Sequence, residues 1–234
     1  MNKMKVLAIS DNHGLLPEIK TKADILCVAG DFSPLGIQSQ GPEMVSWVKN
    51  KFIPWADGLP VTNVVLVAGN HDFCMTDKAA APEIKRMFNE NGKIFYLENT
   101  FLDIDSKLIY GSPNTIGPRG WAFYEKSLNS IKNTMPFNAD LCIFHQPLHD
   151  SANGTVMIPA SWDLDALYPD FGSKLLDLLV YERCPKMTVT GHVHTGNHSV
   201  CEMLNAAYRV SKFANVSLMN EDYELFYEPL EFEI

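Results

Sequence analysis

Short apolar, β-branched runs recur along the chain and break off at Gly, Asp, His or Ser: Val6–Ile9, Ile25–Ala29, Val64–Ala68, Lys107–Tyr110, Leu141–Phe144 and Met187–Thr190. Runs of this length and make-up suit strands buried on both faces. Stretches of helical period lie between several of them. Pro82–Asn89 sets Ile84, Met87 and Phe88 on one face, with Gly92 beyond as a stop. Ser173–Glu182 opens on an N-cap serine and aligns Leu175, Leu178 and Leu179. Gly41–Lys51 is a further helix candidate, and Arg209–Lys212, Ala214–Leu218 and Glu224–Tyr227 read as late strands. Strands alternating with helices predict a layered α/β fold. No repeat, low-complexity tract or linker divides the chain, so residues 1–234 read as one domain.

Composition narrows the classes. With 46% hydrophobic residues, the 234-residue chain can bury a sizeable core. No apolar run approaches the ~20 residues that span a bilayer. The stretch Met-Asn-Lys-Met-Lys before Val6–Ile9 is too quickly succeeded by Asp11 and His13 to serve as a secretory leader, and is read as the approach to the first strand. Cys27, Cys74, Cys142, Cys184 and Cys201 are odd in number and widely spaced, without a C-x-x-C pair. That pattern argues against a disulfide framework or a thiolate zinc site and fits a reducing, cytoplasmic compartment. A formal net charge of -9 and the lack of a Lys/Arg cluster disfavour long nucleic acid as a partner and favour small substrates. The stretch Asp150–Gly172, rich in Pro, Asp and Ser and carrying Trp162 and Tyr168, reads either as a lid or as a surface excursion packing its own aromatics.

The residues just past the strand ends carry the chemistry. Val6–Ile9 leads into Ser10-Asp11-Asn12-His13-Gly14, Ile25–Ala29 into Gly30-Asp31, and Val64–Ala68 into Gly69-Asn70-His71-Asp72. Leu141–Phe144 leads into His145-Gln146-Pro147, and Met187–Thr190 into Gly191-His192-Val193-His194. Ligands of open α/β folds bind beyond the carboxyl ends of strands, so these sets can converge on one crevice. Asp11/His13 and His192/His194 are spaced to project to one side of an extended backbone. Carboxylate, amide and imidazole suit divalent Mn, Fe or Zn. Each motif alone is weak: Gly-Asp is usually a turn, and a single His after a strand is more often a hydrogen-bonded core residue. The joint occurrence is far less common, since His13, His71, His145, His192 and His194 all fall in these motifs among seven histidines in the whole chain.

The order D-x-H, G-D, G-N-H-D, H, G-H-x-H, running from Asp11 to His194, resembles the calcineurin-like metallophosphoesterases. The resemblance implies a four-layer α/β/β/α sandwich with two mixed β-sheets and two metal ions at the sheet ends. It implies that Asp11, His13 and His194 hold the first ion, that Asn70, His145 and His192 hold the second, and that Asp31 bridges both. Gly30-Asp31-Phe32-Ser33-Pro34-Leu35-Gly36, Gly111-Ser112-Pro113, Gly120-Trp121-Ala122-Phe123 and the Asn215–Pro229 tail look, more narrowly, like the metallophosphoesterase-domain-containing cyclic-nucleotide phosphodiesterases. Two departures from that group fall at Gln146, where Gly is usual, and at Asn114-Thr115-Ile116, where the sequence is usually tryptophan-rich.

The expected activity is hydrolysis of phosphodiesters. Two divalent ions, manganese for choice with iron or zinc as alternatives, would clamp an in-line displacement and acidify a water to hydroxide. His71, beside Asn70, is the candidate general acid, with Asp72 either orienting it or bracing a turn. Arg119, Trp121 and Phe123 are candidate substrate contacts, a phosphate clamp beside an aromatic wall, although a surface Arg beside core aromatics reads slightly better. Two rivals remain: a phosphomonoesterase or protein phosphatase, and a non-catalytic metal-binding scaffold. The protein phosphatases carry Val-Asp-Arg-Gly after the second motif, whereas in this chain Phe32-Ser33-Pro34 comes after Asp31.

Overall fold

A computed structural model describes residues 3–149, 172–194 and 198–234. Two mixed sheets face each other. In the first, β1 (Lys5–Ile9), β2 (Ala23–Ala29), β3 (Val61–Val67) and β4 (Ile94–Tyr96) run parallel, with β11 (Leu230–Glu233) antiparallel on the β1 edge. In the second, β6 (Lys107–Ser112), β7 (Leu141–Phe144), β8 (Met187–Thr190) and β10 (Val210–Asn215) run parallel. Antiparallel β5 (Thr100–Ile104) and β9 (Cys201–Leu204) close its two edges.

The pleat sorts each strand between two cores. Across the β1–β2–β3 register, Ala8, Cys27 and Val65 stand in one row and pack inward against Ile143, Val189 and Ala214 of the second sheet. The neighbouring row, Leu7, Leu26 and Val64, points outward. Helices α1 (Gly41–Trp47), α2 (Ile53–Gly58) and α3 (Ala80–Asn91) cover that face through Met44, Ala56, Ile84 and Phe88. A π-helical turn, Val48–Phe52, joins α1 to α2, and Pro54, which has no N–H to give the preceding turn, sits just after it. The widened turn still aims Val48 and Phe52 into the core. On the far side, α4 (Asn129–Thr134) and α5 (Lys174–Arg183) pack Ile131, Leu176, Leu179 and Val180 against Tyr110, Cys142 and Phe144. The architecture is α/β/β/α, as the family resemblance implied.

Local signals explain the helix limits. Ser173 accepts a hydrogen bond from the backbone N–H of Leu176 at 3.2 Å and so caps α5. Gly92 ends α3 in the left-handed region at φ 78°. Two sequence expectations need correction. The expected strands Arg209–Lys212 and Ala214–Leu218 are replaced by a single strand, β10, which runs through Ser211–Phe213 without a break and stops at Asn215. Glu224–Tyr227 is not a strand: Leu225 makes an isolated bridge to Met219, and the chain enters the sheet only at Leu230. The stretch Asp150–Gly172, read as a lid or a surface excursion, lies outside the described residues but for Gly172. Among the described residues no helix is long and apolar enough to cross a membrane.

Candidate metal centre

The loops after β1, β2 and β3 meet those after β7 and β8 at one rim. The first two run side by side: the N–H groups of Asp11, His13 and Gly14 donate to the carbonyls of Gly30, Asp31 and Phe32, each at 3.0 Å. Ser10 pairs in parallel with Ser217, and Leu218 N donates to Ser10 O at 2.9 Å, tying the two sheets together there. The backbone is not extended, as the i, i+2 spacing suggested. Asp11, His13, Asp31 and His192 all take positive φ, at 52°, 39°, 54° and 72°. Such left-handed turns are costly for residues with a Cβ and gather at functional sites, where surrounding bonds enforce them.

Asp72 enforces two of these loops. Its buried carboxylate accepts from Gly69 N at 2.7 Å, Asp31 N at 2.9 Å and Ser33 N at 2.9 Å. Burial and the Asp31 charge push its carboxyl up to about 7, while those N–H groups pull the other way. Glycine is required where loop and side chain nearly touch. A Cβ on Gly191 would strike Ser10 Oγ and Asp11 Oδ2, and one on Gly69 would strike Asp31 and His145.

Among the described residues, three overlapping groups of side chains have the reach to hold a cation: Asp11, His13 and His194; Asp11, Asp31 and His145; and His13, Asp31 and His71. His145 Nε2 lies 3.2 Å from Asp31 Oδ2 and 2.9 Å from Asn70 Oδ1, and His192 Nδ1 reaches the same Asn70 oxygen at 2.7 Å. Asp31, Asn70, His145 and His192 therefore meet at one point, while His194 Nε2 lies 3.8 Å from Asp11 Oδ1. His192 and His194, two residues apart, face different groups. Backbone carbonyls orient two rings: Ala29 O takes His145 Nδ1 at 2.9 Å, and Asn220 O takes His194 Nδ1 at 3.0 Å.

The donor set fits divalent metal. His13 is only 6% exposed, yet among the described residues neither of its ring nitrogens has a hydrogen-bond partner. A buried imidazole unsatisfied at both nitrogens is expensive unless a ligand completes it. Burial drives His13 down to about 4 against the pull of Asp31 and Asp11. Burial and the charge of His145 do the same to His192. Both rings are neutral at pH 7, the form that offers a lone pair. Burial opposes charge on His145, but neighbouring Asp31 carries it up to about 9. Despite its own burial, Asp31 is held well below the usual carboxylate range by His145. His145 has an acceptor at each ring nitrogen, Ala29 O at Nδ1 and Asn70 Oδ1 with Asp31 beside it at Nε2, and to serve as a metal ligand it would give up the Nε2 proton.

The remaining candidates separate. His71 donates its backbone N–H to Asp31 Oδ1 at 2.8 Å, and its ring lies edge-on to His13 at 4.8 Å and to Trp121 at 4.5 Å. Its ring partner is Gln38, at 2.7 Å from Nδ1, and not Asp72, which is the turn brace. Trp121 thus borders the site. Phe123 packs instead against the outer core of the first sheet, and Arg119 is exposed on the loop before Trp121. Sequence reasoning missed Tyr223. Its ring sits 5.1 Å from His13 and 5.0 Å from His194. The turn signal Asn220-Glu221-Asp222, at which Asn220 Oδ1 accepts the N–H groups of Asp222 and Glu224 at 3.0 Å, is the cue that could have found it. Gln146 and Ile116, which mark the two departures from the cyclic-nucleotide phosphodiesterases, form one unit: buried Gln146 Oε1 accepts the N–H of Ile116 at 2.8 Å.

A sandwich with this rim of carboxylate, amide and imidazole defines a class of phosphoric ester hydrolases that generally use a dinuclear metal centre. Over residues 4–196 the sequence matches the calcineurin-like phosphoesterase family, and the chain belongs to it. Metallophosphoesterase domain-containing protein 1 of Homo sapiens and that of Mus musculus are each 23% identical over 252 residues, taking in 98% of this chain and 71% of theirs. Probable rhamnogalacturonate lyase C of Emericella nidulans is 27% identical over 204 residues, which is 83% of this chain but 17% of that protein. A crystal structure 18% identical superposes with a TM-score of 0.52, covering 92% of this chain and 90% of its own, a likeness of fold alone.

Proposed function

We propose that this protein is a metal-dependent phosphodiesterase, with cyclic nucleotides among its substrates, working with two divalent ions, manganese for choice. Asp11, His13 and His194 would hold one ion, Asn70, His145 and His192 the other, with Asp31 between them. The observation that carries this reading is the buried His13 ring with both nitrogens unpartnered, set among Asp11, Asp31 and His194. Two such ions, when bound, supply Lewis-acid charge to a phosphoryl group and lower the pKa of a water.

The chain's own residues do the rest. His71, near His13 and Asp31 but held by Gln38, donates a proton to the leaving oxygen. Trp121 beside His71 and Tyr223 beside His13 and His194 border the space for a flat ester arm. A monoester dianion needs cationic donors beyond the metals, and the arginines supply few. Arg86 pairs with Glu90 at 2.7 Å on α3, Arg183 lies over Phe137 at 4.2 Å, and Arg209 is bound to Asn138 at 2.5 Å. Arg119 is left, exposed on the loop two residues before Trp121. A diester carries one charge fewer and needs no such clamp.

The test compares kcat/KM for bis-nitrophenyl phosphate, a cyclic nucleotide and nitrophenyl phosphate on manganese-loaded protein. The diesters should lead by at least about tenfold, a difference of ~1.4 kcal/mol in transition-state binding. A clear preference for the monoester would replace this reading with a phosphatase.

A further inference from the structure

His71 is clasped on three sides. Its backbone is fixed by Asp31 Oδ1, and its ring lies edge-on between His13 and Trp121. Among the described residues, rotation of the ring in its own plane is left to one polar contact, Gln38 Oε1 at 2.7 Å from Nδ1. Asp72 supplies nothing here, because its oxygens are committed to the N–H groups of Gly69, Asp31 and Ser33. Gln38 sits in the turn between Asp31 and α1, half-buried.

An amide oxygen bears no proton, so the hydrogen of this bond must lie on His71 Nδ1. Nε2 is then the ring nitrogen left to face a substrate oxygen. We propose that Gln38 is a positioning residue: by taking the Nδ1–H it fixes the tilt of His71 and turns Nε2 toward the leaving oxygen, so that the proton given up there is the second proton of the imidazolium and the ring is left as its neutral Nδ1–H form. This rests on the reading of His71 as the proton donor. A carboxylate in the same place would fix the ring equally well but add a negative charge beside a site that must attract a phosphate. A neutral amide orients without that cost.

The experiment joins kinetics to a direct view of the ring. In metal-loaded protein labelled with 15N-histidine, His71 should show a protonated Nδ1 in the wild type and lose that signature in Gln38→Ala. Gln38→Ala should lower kcat about tenfold on a diester with an alkoxide leaving group, a glycerophosphodiester or cyclic nucleotide. KM, bound metal and turnover of bis-nitrophenyl phosphate, whose leaving group needs no proton, should hardly change. Gln38→Glu keeps an acceptor at the same reach and should preserve the Nδ1 signature. In a His71→Gln background, Gln38→Ala should cost nothing further. An unprotonated Nδ1 in the wild type, equal losses on both substrates, or a loss additive to that of His71→Gln would each overturn the positioning role. If His71→Gln itself slows both substrates alike, it is the proton-donor reading that falls.

Discussion

Asp72 takes the backbone N–H of Asp31 at 2.9 Å, so the loop that carries one candidate ligand is braced by a carboxylate from the loop that carries another. The same carboxylate holds Gly69 and Ser33, and it is fully buried, where no water can replace it. Asp72→Asn turns an amide N–H₂ against backbone donors. It should cost about 1–3 kcal/mol in chemical unfolding and weaken metal binding at the same time. Unchanged stability and full metal content would show that the brace is dispensable.

Gly191 offers a sharper steric test. Its missing Cβ leaves room for Ser10 Oγ and Asp11 Oδ2, where the end of β8 meets the end of β1. Gly191→Ala should force Asp11 aside, at about 1–3 kcal/mol of overpacking. Metal titration of the variant should find affinity lost first at the Asp11, His13 and His194 group. Normal binding by all ligands would contradict this contact.

Much of this site was legible in the sequence, for a physical reason. Strands β1, β2, β3, β7 and β8 are largely buried on both faces, so each is an apolar run that ends where the polar motif starts. The edge strands β5, β9 and β11 alternate with exposed or charged positions and do not stand out, as Leu230-Glu231-Phe232-Glu233 illustrates. Glu224–Tyr227 carries the aromatic residues of a strand but spends them around the turn closed by Asn220. The left-handed backbone at Asp11, His13, Asp31 and His192 had no glycine to announce it. Gln38 and Tyr223 lie far along the chain from the histidines they touch; the Asn220-Glu221-Asp222 turn marks a bend before Tyr223, but neither residue's local sequence shows which ring it meets.

Tyr223 is 43% exposed and leans on two candidate ligands from a left-handed position, φ 58°. If it borders the ester arm, Tyr223→Ala should raise KM roughly 3- to 10-fold for aryl and nucleotide diesters while leaving metal content intact. Loss of metal with unchanged KM in the residual activity would make it a shield for His13 and His194 instead.

Away from the site, Asp140 knots the starts of three strands. It accepts Leu108 N at 2.9 Å and Lys186 Nζ at 2.6 Å, just ahead of β7 and β8. Burial works against its charge, but Lys186 and the Leu108 N–H prevail and hold its carboxyl below the ordinary aspartate value. A depressed carboxylate pKa means that this stabilisation is complete above the unfolded value and vanishes as pH falls through the folded one. Asp140→Asn should therefore cost about 1 kcal/mol at neutral pH, with Lys186 largely solvated, and the difference from wild type should close as the carboxylate is protonated in acid. A gap that persists in acid would assign the loss to packing.

Two cations sharing Asp31 are the heart of the proposed chemistry. Elemental analysis of purified, active protein, beside Asp31→Asn prepared identically, tests this most directly. About two divalent ions per chain should be found in the wild type, and fewer than about one in Asp31→Asn, since Asp31 lies within reach of both the His13 and the His145 groups. Active wild-type protein holding one ion or none, or an Asp31→Asn variant that keeps both, would contradict the shared centre.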